Sequence, residues 1–141
     1  MVVSQYLAVR ILHVLTAGVL FGSVTAVWLA LWLEESVSVR LLAWLEGIFW
    51  GGTSLLVFTG LGNLVAFGTP PIDSEPGTIL AVKLGCVFVV AAGSVVRTFA
   101  VLHLQRAGAS RTTNSGVRLL YGLTGLGIGV VIVLAGVLTH G

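Results

Sequence analysis

The feature that most limits how this chain can fold is an apolar stretch of 28 residues near its start. It runs from Tyr6 to Leu33 and contains one charged residue, Arg10, and one histidine, His13. About 20 apolar residues in a helix are enough to cross the hydrocarbon core of a bilayer. The stretch therefore predicts a transmembrane helix. Arg10 and His13 need a partner or a function, because ionisable groups at depth are costly.

The composition places the rest of the chain in the membrane as well. Of its 141 residues, 57% are hydrophobic and only 9% are charged. A soluble domain carries about 25% charged residues, so a water-facing surface cannot be built here. The net charge of +2 is too small to predict nucleic-acid binding. The single cysteine, Cys86, excludes an internal disulfide and a CxxC metal site.

Four apolar segments separated by polar stretches predict an all-α integral membrane protein with one domain over residues 1–141. The predicted helices are Tyr6–Leu33, Leu41–Phe67, Ile79–Leu104 and Val117–Thr139. Short connections favour an up-down-up-down four-transmembrane-helix bundle. Three GxxxG pairs predict close helix packing in the bundle, or room for a flat cofactor between helices. These pairs are Gly18 with Gly22, Gly47 with Gly51, and Gly125 with Gly129.

The distribution of basic residues predicts the orientation of the bundle. Arginines flank the first and third loops, at positions 40, 106, 111 and 118, whereas only Arg10 and Lys83 belong to the opposite end. Because cytoplasmic loops are enriched in Lys and Arg, both termini are expected outside the cytoplasm, in a prokaryotic cytoplasmic membrane. We call the end with the termini the outer end and the other the inner end. Trp28, Trp32 and Trp44 are expected to anchor the inner end at the membrane interface.

The polar residues inside the helices fall into two layers. The inner layer contains Glu46, Arg97 and His103, and the outer layer contains Arg10, His13, Asn63, Lys83 and His140. Glu46 and Arg97 are predicted to form a buried ion pair, because a buried charge is tolerated mainly when it is paired. A proton or anion step is the functional alternative for this pair. His103 is expected to be an interfacial residue.

The outer layer predicts a cofactor site. Neutral imidazole is a common ligand of transition metals and of heme iron, and two histidines on different helices can hold one heme between them. His13 and His140 are the candidate axial ligands of heme b. Arg10 and Lys83 are the candidate partners of its propionates. The alternative for His13 is a hydrogen-bonded core residue, and for His140 a position in water.

Two helices carry a resemblance to a known family. Tyr6, Arg10, Leu12 and His13 in YLAVRILHVLTAGVLFG resemble the opening helix of the CopD/HemJ superfamily, and Lys83-Leu84 resembles the intramembrane Lys-Leu of its third helix. The resemblance implies a four-helix membrane protein that binds heme b and oxidises protoporphyrinogen, as HemJ-like proteins do, or takes up copper, as CopD-like proteins do. Helix one departs from the HemJ pattern, because GVLFGSVTAVWLALWL lacks the Leu-Pro-Arg segment.

Three functions remain open from the sequence. The first is a heme-b protein that passes electrons to or from a quinone, a porphyrin or a partner. The second is a transporter of copper or another small solute, although Cu(I) prefers sulfur ligands and the chain offers only Cys86 and Met1. The third is a non-catalytic subunit that packs in a larger membrane complex. The expected partners are the lipid bilayer and either further copies of the chain or another membrane protein.

Overall fold

The chain folds into four long helices in a computed structural model that describes residues 2–140, with side chains at 5–65 and 68–137. The helices are α1 (Val2–Trp32), α2 (Val39–Phe67), α3 (Glu75–Arg106) and α4 (Ser115–His140). Each is long and apolar enough to cross a membrane. The prediction of a multi-pass, all-α membrane protein with four helices is therefore confirmed.

The helices form an up-and-down bundle in which each one packs against two neighbours. Helix α1 lies against α2 and α4, and α3 lies against the same two helices. The seam between α2 and α3 is the most loosely packed of the four. The core is densest in the inner half, where Leu31, Leu42 and Val101 are almost completely buried. The inner layer of polar residues therefore lies in the more densely packed half of the bundle, and the outer layer lies in the less densely packed half.

Helix α3 begins four residues before its predicted start at Ile79. Ser74 caps it, because its side chain accepts a hydrogen bond from the backbone N–H of Gly77 at 3.2 Å. Pro76 lies in the first turn, where a missing N–H is harmless and the fixed φ suits a helix. The predicted helix bounds left residues 68–78, which hold all three prolines, between two helices, but the last four of them form the start of α3.

A short antiparallel pair of strands joins the two loops of the inner end. Strand β1 (Val37–Ser38) pairs with β2 (Arg111–Thr112), so that Val37 lies opposite Thr112. The Arg111 guanidinium donates to the Ser36 carbonyl at 2.6 Å and to the Ser36 hydroxyl at 2.7 Å. This ladder was not predicted. It fixes the α1–α2 loop against the α3–α4 loop, and thus the inner end of the bundle.

Of the three GxxxG pairs, only the one on α4 packs inside the bundle. A Cβ on Gly125 would lie 3.4 Å from the Thr25 hydroxyl, and one on Gly129 would lie 3.3 Å from the Phe21 ring. A Cβ at any of the other four glycines, Gly18, Gly22, Gly47 and Gly51, would meet nothing within 4 Å. The prediction of close packing was wrong for these two pairs, because their helix faces point away from the bundle.

The closest approach between α3 and α4 gives a testable prediction. A Cβ on Gly127 would collide with a methyl group of Val90, whose β-branched side chain has little rotamer freedom. Gly127→Ala is therefore expected to lower the free energy of unfolding by about 1–3 kcal/mol, the usual effect of overpacking. Gly93→Ala on α3 is the matched control, since open space surrounds Gly93. Equal detergent-unfolding midpoints for the two variants would contradict this packing.

Candidate functional site

The inner layer contains the predicted ion pair, which is confirmed. The Nε of Arg97 donates to Oε1 of Glu46 at 2.7 Å, and its Nη2 donates to Oε2 at 3.1 Å. Arg97 has no exposed surface, and Glu46 is 4% exposed. Such two-point pairing fixes the planes of both groups and is among the stronger hydrogen-bonded arrangements in proteins. The pair joins α2 to α3.

The Glu46 carboxylate has two further donors. The Tyr121 hydroxyl donates to Oε1 at 2.7 Å, and the Thr98 hydroxyl donates to Oε2 at 2.6 Å. Thr98 in turn accepts a hydrogen bond from the Trp50 indole at 2.9 Å. Each carboxylate oxygen thus has two donors, and α4 joins the network through Tyr121. These four hydrogen bonds offset the cost of burying the carboxylate.

The Arg97 guanidinium is equally well satisfied. Its Nη1 donates to the Thr124 hydroxyl at 2.7 Å and to the Ser94 hydroxyl at 3.4 Å. The rings of Phe49 and Tyr121 lie with their centroids 4.2 Å and 5.0 Å from its central carbon, within the range of cation–π attraction. The arrangement is that of a structural crosslink among three helices.

A small cavity separates this network from α1. Its volume is about 10 Å³, and its lining includes Leu20, Ser23 and Val24 of α1 together with Glu46 and Tyr121. A space of this size holds about one water molecule. It is too small for an organic substrate or a flat cofactor. The inner layer thus offers a place for a bridging water and no room for chemistry on a larger molecule.

The outer layer is built around His13, which is half-buried on α1. Its Nδ1 lies 2.7 Å from the Thr59 hydroxyl of α2. Thr59 can give its own proton to the Leu55 carbonyl at 2.8 Å, and in that arrangement its oxygen accepts from His13, whose proton is then assigned to Nδ1. The Nε2 atom then carries a free lone pair. Gly60 leaves room beside the ring, because a Cβ there would lie 3.6 Å from its Cε1.

Two more polar side chains lie in the same layer. Asn63 follows Thr59 by one turn of α2, and its Oδ1 is the one buried polar atom among the described side chains without a hydrogen-bond partner. Lys83 is half-buried on α3 and close enough for its charge to act on the His13 imidazole. Unsatisfied buried acceptors are rare in native proteins and call for a water or a ligand. Helices α1 and α3 thus each place one polar group here, and α2 places two.

Arg10 and His140 are the other two predicted site residues. Arg10 is exposed, whereas His13 is half-buried, so their spacing of three residues does not carry both into the interior. The side chain of His140 falls outside the described residues. His103 is exposed near the end of α3, as expected of an interfacial histidine. Among the described side chains, Lys83 is thus the predicted site residue whose charge acts on His13.

No cluster typical of a metal centre accompanies them. In the part of the chain that the structure describes, His, Cys, Asp and Glu nowhere form a group of three that could hold a metal ion. Cys86 follows Lys83 by three residues and is a free thiol. A multi-ligand copper site thus has no support among these residues, whereas a single axial bond to a heme iron needs only His13.

Several members of the two layers were missed by sequence reasoning. They are hydroxyl and indole side chains: Trp50, Thr59, Thr98, Tyr121 and Thr124. A signal existed, because Arg97 is followed directly by Thr98, and Tyr121 and Thr124 are three residues apart on one face of α4. Threonine and tyrosine in apolar helices are the expected partners of a buried ion pair.

The chain matches no family model, no curated protein and no solved structure.

Proposed function

We propose that this protein binds heme b through His13 and takes part in electron transfer within the membrane. The observation that carries the proposal is the 2.7 Å contact between Nδ1 of His13 and the Thr59 hydroxyl. With the imidazole proton assigned to Nδ1, His13 donates to Thr59 and its Nε2 lone pair is available to a metal. Metal-ligating histidines almost always donate their second ring N–H to an oxygen, which fixes both the tautomer and the direction of the ring. An ionisable residue inside a bilayer is by default a hypothesis for a functional site.

The chemistry of the side chains in the outer layer supports such a group. His13 would hold the iron, and a bound heme supplies reversible one-electron chemistry. Lys83 would compensate the charge of one propionate, and Arg10, exposed toward the outer end, would pair with the other. Thr59 orients the imidazole, and Asn63 can accept a hydrogen bond from a ligand or a water. His140 is the candidate for the second axial position, and a five-coordinate iron is the alternative.

The test is the optical spectrum of the purified protein, before and after addition of hemin. We expect a Soret band with α and β bands that sharpen on reduction, with up to one heme for each chain. The apoprotein is expected to take up hemin with saturable absorbance changes. Protein that is purified without a chromophore, and that shows no saturable uptake of added hemin, would overturn the proposal.

A non-catalytic packing subunit is the second candidate. The observation in its favour is the open face of α1 around Gly18 and Gly22, because small residues on a lipid-facing surface let another transmembrane helix approach closely. This role needs no cofactor. A heme-free protein that forms a stable complex with another membrane protein, lost on Gly22→Leu, would favour it over the heme proposal.

A further inference from the structure

A shallow groove opens at the inner end of the loosely packed seam between α2 and α3. Its volume is about 250 Å³, and it is lined by Arg40, Ala43, Trp44, Gly47 and Gln105. The first four share one face of α2, because they are spaced by three, one and three residues. Gln105 comes from the last turn of α3. The groove thus combines a cation, an amide, an indole ring and a bare stretch of helix.

The cation of the groove is available to a ligand. Arg40 is exposed and has neither a hydrogen bond nor an ion pair through its side chain among the described residues. Arg111 at the same end is already bonded to Ser36. The inner end carries the acidic residues Glu34 and Glu35 against four arginines, so its charge is positive. Charge complementarity therefore favours an anion as the occupant.

The depth of the groove in the membrane favours a lipid over a soluble anion. Trp44 is 67% exposed beside Arg40, and exposed tryptophan is typical of the boundary between head groups and acyl chains. Gly47 and Gly51 continue the same face toward the bilayer centre, with open space where a Cβ would lie. The distance from Arg40 to Gly51 along α2 is roughly 16 Å at 1.5 Å per residue. This is about half of a hydrocarbon core of about 30 Å.

We propose that this groove binds an anionic phospholipid. The Arg40 guanidinium pairs with the phosphodiester, which matches its two-point donor geometry. The Gln105 amide donates to the head group, the Trp44 ring lies along the glycerol region, and one acyl chain follows the track of Gly47 and Gly51. The proposal does not rest on the heme proposal, because the groove lies at the opposite end of the bundle from His13.

The test uses fluorescence quenching of Trp44 by brominated lipid in reconstituted vesicles. One series contains brominated phosphatidylglycerol in plain phosphatidylcholine, and the other contains brominated phosphatidylcholine in plain phosphatidylglycerol. The difference between wild type and Trp44→Phe isolates the emission of Trp44. We expect quenching at a lower mole fraction of the anionic brominated lipid. Arg40→Gln is expected to reduce this preference about fivefold, the effect of one basic group near a charged membrane surface.

Three variants separate a built groove from general attraction to a charged surface. Arg118→Gln removes a charge at the inner end outside the groove and is expected to keep the preference. Arg10→Gln removes one at the outer end and is also expected to keep it. Gly47→Leu is expected to abolish the preference, because its side chain occupies the groove at a position where a Cβ meets nothing within 4 Å. Equal quenching by the two lipids in wild type, or an unchanged preference in Arg40→Gln, would overturn the proposal. So would a dimer that shields Trp44 from both lipids and dissociates on Gly47→Leu, which assigns the groove to a second copy.

Discussion

Arg97→Leu is expected to lower the free energy of unfolding by about 3–5 kcal/mol, the usual effect of removing one partner of a buried ion pair. The variant leaves the Glu46 carboxylate, which is 4% exposed, without both of its hydrogen bonds to the guanidinium. The Thr124 hydroxyl also loses its donor. Detergent or chemical unfolding in micelles measures the loss, provided that the variant still folds.

The double variant Arg97→Leu with Glu46→Leu gives the decisive comparison. It is expected to be more stable than Arg97→Leu alone, because two apolar side chains replace the pair and no charge is left stranded. Arg106→Leu is the control for loss of a positive charge, since Arg106 is exposed at the end of α3. Equal stability of the single and double variants would mean that the two residues are not coupled.

His13→Ala is expected to abolish the Soret, α and β bands of the hemin-loaded protein. The substitution removes the proposed axial ligand and leaves the inner ion pair untouched. His103→Ala is the control, because it removes an exposed imidazole at the other end of the bundle. His140→Ala is expected to weaken or shift the spectrum, and Lys83→Ala mainly to lower heme retention. A folded His13→Ala protein with the heme content and spectrum of wild type would refute the assignment.

Thr59→Val tests whether the orientation of His13 matters as well as its presence. Valine keeps the shape of the side chain and removes the oxygen that accepts from Nδ1 of His13. Loss of such a second contact typically lowers metal affinity by about 10–100-fold. Hemin titrations should therefore rank wild type above Thr59→Val, and Thr59→Val above His13→Ala. Unchanged affinity in Thr59→Val would show that its hydrogen bond does not prepare His13 for a ligand.

The tertiary structure decided features that the sequence pattern left open or predicted wrongly. Glycine spacing is the same in all three GxxxG pairs, yet only Gly125 and Gly129 pack inside the bundle. Which face of a helix is covered depends on its neighbours, and helices apolar on all sides carry little periodic signal. The β1–β2 ladder was missed for a related reason, since two-residue strands have no pattern. The early start of α3 was missed because proline signals a loop as well as a first turn.

The sequence by itself determined that the chain crosses the membrane four times and that Glu46 pairs with Arg97. Both follow from free energies that are large whatever the packing of the helices. A helix of about 20 apolar residues is stable in a bilayer and not in water, and a buried charge needs a partner. Only the tertiary structure decided which neutral side chains form hydrogen bonds with the inner ion pair and with His13. Thr98, Tyr121 and Thr124 saturate the inner pair, whereas Thr59 alone engages His13 and the Oδ1 of Asn63 lacks a partner among the described residues. Burying a hydroxyl group in a helix costs little free energy, because the group can form a hydrogen bond to the preceding turn. The position of a hydroxyl group in the sequence therefore becomes informative only when the packing of the helices is known.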